Sequence, residues 1–191
     1  DPKAAGLEVE RTVMVDAHNA ARLTLTDVEV DADAVIGEVD GGEGLLEGAL
    51  NLGRACAASS LTGAGDQAFR ITMEYLKTRK QFGRAIGEFQ ALQHRAAHLF
   101  SEIEIARAAT LGALQKLDAG DEAAPLAVAV AKAKAGRVAE LAVQEAVQMH
   151  GGVGMTDEFD VGLFVKRVRV LNELLGDTGF HQEAVARSQG F

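Results

Sequence analysis

From Gly41 onward the chain changes its apolar period. Leu46, Leu50, Gly53, Ala57, Leu61, Ala64, Ala68, Ile71 and Tyr75 fall three or four residues apart, the spacing that lines one face of an α-helix. A stripe of that length must be covered by other helices, because an apolar helix face is stable only against another packed element. Its Gly and Ala content lets a neighbour come close, at the cost of poor helix propensity at Gly53, Gly63 and Gly65. A second stripe, Phe89, Leu92, Ala96, Leu99, Ile103 and Ala106, predicts a helix from about Glu88 to Asp118. Ala119-Gly120-Asp121 stops and restarts the chain. The third segment is Ala-rich on most sides and runs to about His150, so it is expected to be buried. A fourth helix is predicted from about Thr156 to Leu174, with Asp157 and Glu158 at the positive end of its dipole. A short fifth covers roughly 179–188. Four long antiparallel helices on short connections point to a mainly α four-helix bundle.

The first forty residues read differently. Leu7, Val9, Val13 and Val15 alternate with Glu8, Glu10 and Thr12, the pattern of a half-buried strand over 7–15. Asp16 to Asn19 supplies turn chemistry. A second strand is predicted from Arg22 to Val30, with a phase shift that suggests a bulge near Thr26-Asp27. A short extended piece follows at Ala34-Val35-Ile36-Gly37. So few strands cannot cover a face and two edges, and the opening Asp1-Pro2-Lys3 carries no initiator methionine. The expectation is a missing upstream segment, with 1–40 the end of a β domain and 41–191 a helical domain.

Charge and composition exclude several functions. A net charge of -9 argues against nucleic-acid binding. No apolar run reaches the length of a membrane span, and a cytoplasmic location is expected. The single cysteine, Cys56, offers no disulfide or zinc site and is expected to be a small buried side chain. His94 and His98 share a helix face but lack a third ligand, so no metal is expected. Lys166, Arg167 and Arg169 read as a solvated or ion-paired face, as do Glu102 and Glu104.

Two connections stand out. Lys77, Arg79, Lys80 and Arg84 lie in a stretch without any acidic residue, with Gly83 and Gly87 to bend the backbone. That is either a solvated basic turn or an anion site, since arginine offers a fork that matches phosphate oxygens. Gly151-Gly152-Val153-Gly154 is either a helix cap or a cradle for a pyrophosphate.

Taken together, Arg79-Lys80-Gln81-Phe82-Gly83, then Phe89-Gln90, then Gln148-Met149-His150-Gly151-Gly152-Val153-Gly154 resemble the C-terminal domain of the acyl-CoA dehydrogenases. The resemblance covers essentially the whole chain, with residues 1–40 similar to the end of that family's central β-barrel. It implies FAD, held mainly by the adjacent subunit. Arg79, Gln81 and Phe82 would then meet its diphosphate and adenosine side, Gln90 would lie near it, and Gln148, Gly151 and Gly152 would line the adenine end. Arg54 matches an arginine that the family places beside the acyl-CoA channel; the residues alone allow a helix-to-helix salt bridge equally.

The resemblance breaks at the catalytic base. In this family a glutamate removes the α-proton of the acyl thioester and the flavin takes the β-hydride. Aligned through Gly176, Leu175 stands where that glutamate would be, and Asp177 where a threonine touches flavin. The alternative base position of some members is Gly53. The catalytic residue is therefore unknown from sequence. Asp177 or Glu173 would have to swing in with a raised pKa, or a partner subunit would supply the base, as in heteromeric enzymes of bacterial steroid side-chain breakdown. The resemblance thus implies a subunit of a dimer of dimers, heteromeric by preference, acting on acyl-CoA and passing electrons to an external acceptor. A non-catalytic scaffold and a flavin-dependent oxidase or monooxygenase are the alternatives on the same fold.

Overall fold

The computed structural model describes residues 3–191; Asp1 and Pro2, part of the proposed opening, lie outside them. The chain divides into two compact units, Asp1–Ala49 and Leu50–Phe191.

In the first unit, β1 (Leu7–Val13) pairs antiparallel with β2 (Asn19–Leu25), from Leu7 opposite Leu25 to Val13 opposite Asn19. Three expectations are corrected here. The second strand starts earlier and ends at Leu25, and Asp27 turns the chain with φ +49 where a bulge was expected. At the expected extended piece 34–37, Ala34 closes a single 3-10 turn, Ala32–Ala34, Val35 is extended, and Gly37 turns the chain at φ +82. The apolar face is not half-buried: Val9 is 50 %, Val13 91 % and Val15 60 % exposed. A lone hairpin has no layer to place over either face.

Helix α1 (Glu43–Thr78) begins in the first unit and continues through the second. The second unit then carries β3 (Lys80–Gln81), β4 (Arg84–Ala85), α2 (Gln90–Asp118), α3 (Ala124–His150), α4 (Val161–Glu173) and α5 (Thr178–Ser188). α3 is the central helix. Its Val128, Ala131, Ala135 and Ala139 meet Ala55, Ala58, Leu61 and Ala68 of α1, together with Val161, Val168 and Leu171 of α4. On another side, Val138 and Ala142 meet Leu99, Ile103 and Ala106 of α2. The architecture is mainly α, a four-helix bundle with α5 packed on α3.

Gly65 of α1 admits a neighbouring helix, whereas Gly63 is exposed with nothing near it. A Cβ on Gly65 would stand 3.2 Å from the Ala139 Cα, so α1 and α3 approach almost backbone to backbone. Thr62 and Thr110 bridge α1 and α2 at 3.2 Å. Arg95 grips Glu145 with two hydrogen bonds of 2.6 and 2.9 Å between α2 and α3. Glu102 accepts from Lys134 at 2.7 Å and Glu104 pairs with Arg107 at 3.2 Å. Arg169 pairs with Glu173 at 3.1 Å, while Lys166, His94 and His98 are exposed.

Two helix expectations are corrected. Cys56 is exposed, because it sits on the side of α1 with Leu52, Ser59 and Ser60, away from Ala55, Ala58 and Leu61. α4 starts at Val161 after a 3-10 turn over Gly151–Met155. Asp157 and Glu158 thus lie ahead of the helix and outside its first turn, beyond the range where its dipole acts strongly.

Candidate functional site

Two places concentrate the residues singled out by sequence. The first is the end of the bundle where α1 and α3 finish. The Tyr75 ring stacks on His150 at 4.3 Å, and its hydroxyl donates to the His150 carbonyl at 3.3 Å. Phe159 packs edge-on against both rings, at 5.4 and 4.9 Å. This lock joins the last turns of two helices, so the basic connection and the glycine corner leave from the same end.

The basic connection is a hairpin rather than a simple loop. Lys80 pairs with Ala85 and Gln81 with Arg84. Phe82 and Gly83 form its tip with φ +53 and +81, the double positive φ of a type I′ turn. Glycine adopts that conformation freely, whereas a bulky aromatic does so under strain. Phe82 is nevertheless 91 % exposed. The Arg84 guanidinium lies over the Phe89 ring at 4.1 Å, and Lys77 pairs with Glu74 at 2.7 Å. Among the described residues, neither Arg79 nor Lys80 forms an ion pair. Arg79, Gln81, Phe82 and Gln90, the first residue of α2, are all exposed. At the other corner, Gly151 caps α3 with φ +64. A Cβ on Gly151 or Gly152 would meet nothing within 4 Å. Gln148 beside them is exposed. Unpaired cations, exposed amides and open glycine backbone are the donor set an extended diphosphate requires.

The second place is the connection between α4 and α5. Leu175 has φ +59, and in the second unit only it and Phe82 are described non-glycine residues with positive φ. Such strain persists only where the surroundings impose it, and here they do. Arg54 Nε donates to the Leu175 carbonyl at 3.3 Å, while another nitrogen of Arg54 donates to Asn51 Oδ1 at 3.2 Å. His181 Nε2 also lies 3.2 Å from that carbonyl; a carbonyl only accepts, so this nitrogen carries the proton. Burial first, and then the Lys132 charge, hold the His181 pKa below its ordinary value, which keeps the ring neutral.

This geometry brings Gly53 and Leu175 together. A Cβ on Gly53 would stand 2.6 Å from Leu175 Cδ1. The two positions at which the resemblance allows a base are therefore one place in space, and neither side chain can take a proton. The two substitute carboxylates are engaged elsewhere. Asp177 caps α5 by accepting from the Phe180 amide at 2.7 Å, and Glu173 pairs with Arg169. Arg54 also faces the Phe180 ring at 5.9 Å.

One residue of this place was missed by sequence reasoning. Lys132 is fully buried and donates to the carbonyls of Asn172 at 3.0 Å and Gly176 at 2.9 Å. The signal was present: Val128, Lys132, Ala135 and Ala139 share one inward stripe of α3. Burial pushes the Lys132 pKa down from 10.5 to about 8, partly opposed by the charges of Asp177 and Glu173. Between these two values the unfolded chain holds a proton that the folded chain has released, so stability from this group rises with pH across that window. Below about pH 8 the fold must keep an ammonium buried. The thermal midpoint of the wild-type protein, measured against Lys132→Met, should therefore rise from pH 8 towards 10.5; a flat difference would refute the assignment.

Residues 40–190 match the family model for the acyl-CoA dehydrogenase C-terminal domain. The rat mitochondrial short/branched chain specific acyl-CoA dehydrogenase is 31 % identical over 178 residues, covering 93 % of this chain and 41 % of the relative. Butyryl-CoA dehydrogenase from Megasphaera elsdenii superposes with a TM-score of 0.91 at 25 % identity, over 99 % of this chain and 50 % of that one. The steroid ACAD Tcur3481-Tcur3483 superposes with a TM-score of 0.87 at 30 % identity, over 100 % of this chain and 51 % of that one. The chain thus spans about half the length of these relatives or less. No helix among the described residues is long and apolar enough to cross a membrane.

Proposed function

The chain belongs to the acyl-CoA dehydrogenase family, and on that premise we propose that it serves as an FAD-clamping subunit that carries no catalytic base of its own. The carrying observation is the apposition of Gly53 and Leu175. Where a proton acceptor would have to stand, two non-ionisable residues face one another beside Arg54. A base absent from both positions, with both clamp corners retained, is the pattern of a chain that supports chemistry completed by a partner.

On this reading Arg79 balances the diphosphate charge of FAD held mainly by the adjacent subunit. Gln81 and Gln90 supply neutral donors and acceptors, and Phe82 covers the adenosine side. Gln148 stands at the adenine end, where Gly151 and Gly152 admit the ligand close to the backbone. FAD, when bound, would supply the hydride acceptor for α,β-desaturation of an acyl-CoA thioester, with an external acceptor taking the electrons. Arg54 lies along the acyl-CoA channel. The helical domain corresponds to 41–191, with residues 1–40 the edge of a β domain. Likeness to a steroid ACAD favours acyl groups of steroid side chains as the substrate class, within a heteromeric dimer of dimers.

Flavin stoichiometry tests this directly. The chain co-expressed with a glutamate-bearing partner should hold about one flavin for every two chains, and anaerobic substrate should bleach all of it. Full flavin occupancy in an assembly of this chain alone, bleached by substrate, would overturn the proposal.

A further inference from the structure

The loop that carries Leu175 is held from beneath by a residue that the clamp does not use. Lys132 Nζ reaches two carbonyls on either side of Leu175, those of Asn172 and Gly176, at 3.0 and 2.9 Å. One turn further along α3, the loop sits directly on Gly136. A Cβ there would stand 2.3 Å from Asn172 Oδ1 and 2.7 Å from Thr178 Oγ1, and these two atoms are themselves bonded at 3.1 Å. Gly176, at φ +103, leaves no room for a side chain against Phe180. From above, Arg54 and His181 both reach the Leu175 carbonyl.

We propose that Lys132 is the positioning residue of the 172–178 loop, its ammonium gathering the Asn172 and Gly176 carbonyls so that Leu175 is held over Gly53 and its own carbonyl is aimed at Arg54. The physical argument is one of convergence. Carbonyl dipoles directed at a common point repel one another unless a cation stands between them. A left-handed leucine costs free energy that the loop alone does not recover. A buried ammonium meets both needs, and it is itself costly to bury unless its protons are bonded. Lys132 is thus tied to the shape of this loop and not to general packing, for which an alanine or valine would serve on this helix. Through the loop it sets how Arg54 is presented to whatever lies along the proposed acyl channel.

Hydrogen exchange on the intact purified assembly tests this without reference to flavin, so failure of the clamp reading would leave the result standing. In Lys132→Met, amides of residues 172–181 should exchange at least about tenfold faster, with α2 and the rest of α3 unchanged. Lys132→Gln keeps a neutral amide donor on a shorter side chain and should fall between the two. A second probe uses Leu175→Cys in a Cys56→Ser background. Adding Lys132→Met should speed reaction of that thiol by about tenfold or more. Val128→Ala, a buried change on the same stripe of α3, should not. Unchanged loop protection in Lys132→Met would overturn the proposal. So would protection lost equally across α2 and α3, or equal thiol exposure from Val128→Ala, since these mark Lys132 as an ordinary core element.

Discussion

Arg79→Ala is expected to weaken FAD retention by the intact assembly roughly 10- to 100-fold, the equivalent of losing a charged hydrogen-bond partner worth about 1.5–3 kcal/mol. The reason lies in the surroundings of Arg79. Lys77 and Arg84 are engaged by Glu74 and by the Phe89 ring, so they have less to offer an added anion. Arg79 has no carboxylate partner among the described residues and stands at the foot of a hairpin whose tip is a strained, exposed phenylalanine. Arg79→Lys should restore only part of the affinity, because an ammonium lacks the planar fork. The difference from wild type should shrink as ionic strength rises and exposed charges are screened. The measurement is flavin released on dilution, followed by fluorescence, with helix content checked alongside. An Arg79→Ala assembly that keeps its flavin as tightly as wild type would remove the clamp from the proposal.

Leu61→Ala is expected to destabilise the helical unit by about 2–5 kcal/mol, read as a lower thermal unfolding midpoint. Leu61 is fully buried in the core shared by α1, α3 and α4. Its neighbours there are largely alanines, which have no rotamers with which to fill a void. Close contact at Gly65 and Ala139 keeps the two helices from closing further. Collapse around the cavity is therefore poor, which places the loss towards the upper part of that range. Leu61→Met, which conserves volume, should cost less than about 1.5 kcal/mol. Near-equal midpoints for Leu61→Ala and wild type would mean that the stripe on α1 is not the seam that holds the bundle.

The helices were legible because their signal is local and periodic. Spacing alone marks helices from about Gly41 and from about Glu88, close to the observed 43–78 and 90–118, and alanine on most sides of α3 marks it as buried. The strands were less legible. Alternation over 7–15 marks an extended chain, but whether either face is covered depends on residues that are not neighbours in sequence. Cys56 shows the same limit, since a small residue among Ala and Ser fits a buried or an exposed face equally. In the candidate site, the basic and glycine-rich connections could be named from residue types. Lys132 escaped notice because its partners are backbone carbonyls, which carry no residue identity.

By itself, the sequence determined the period and order of the helices, the residue types in the basic and glycine-rich connections, and the absence of an ionisable group at positions 53 and 175. Tertiary structure alone decided that these two positions are one place, that Tyr75 and His150 bring the basic hairpin and the glycine corner to one end of the bundle, and that a buried lysine bonds the loop between α4 and α5. The physical reason is range. Periodicity and charge are properties of neighbouring residues, whereas Gly53 and Leu175 meet only after the bundle has closed around α3.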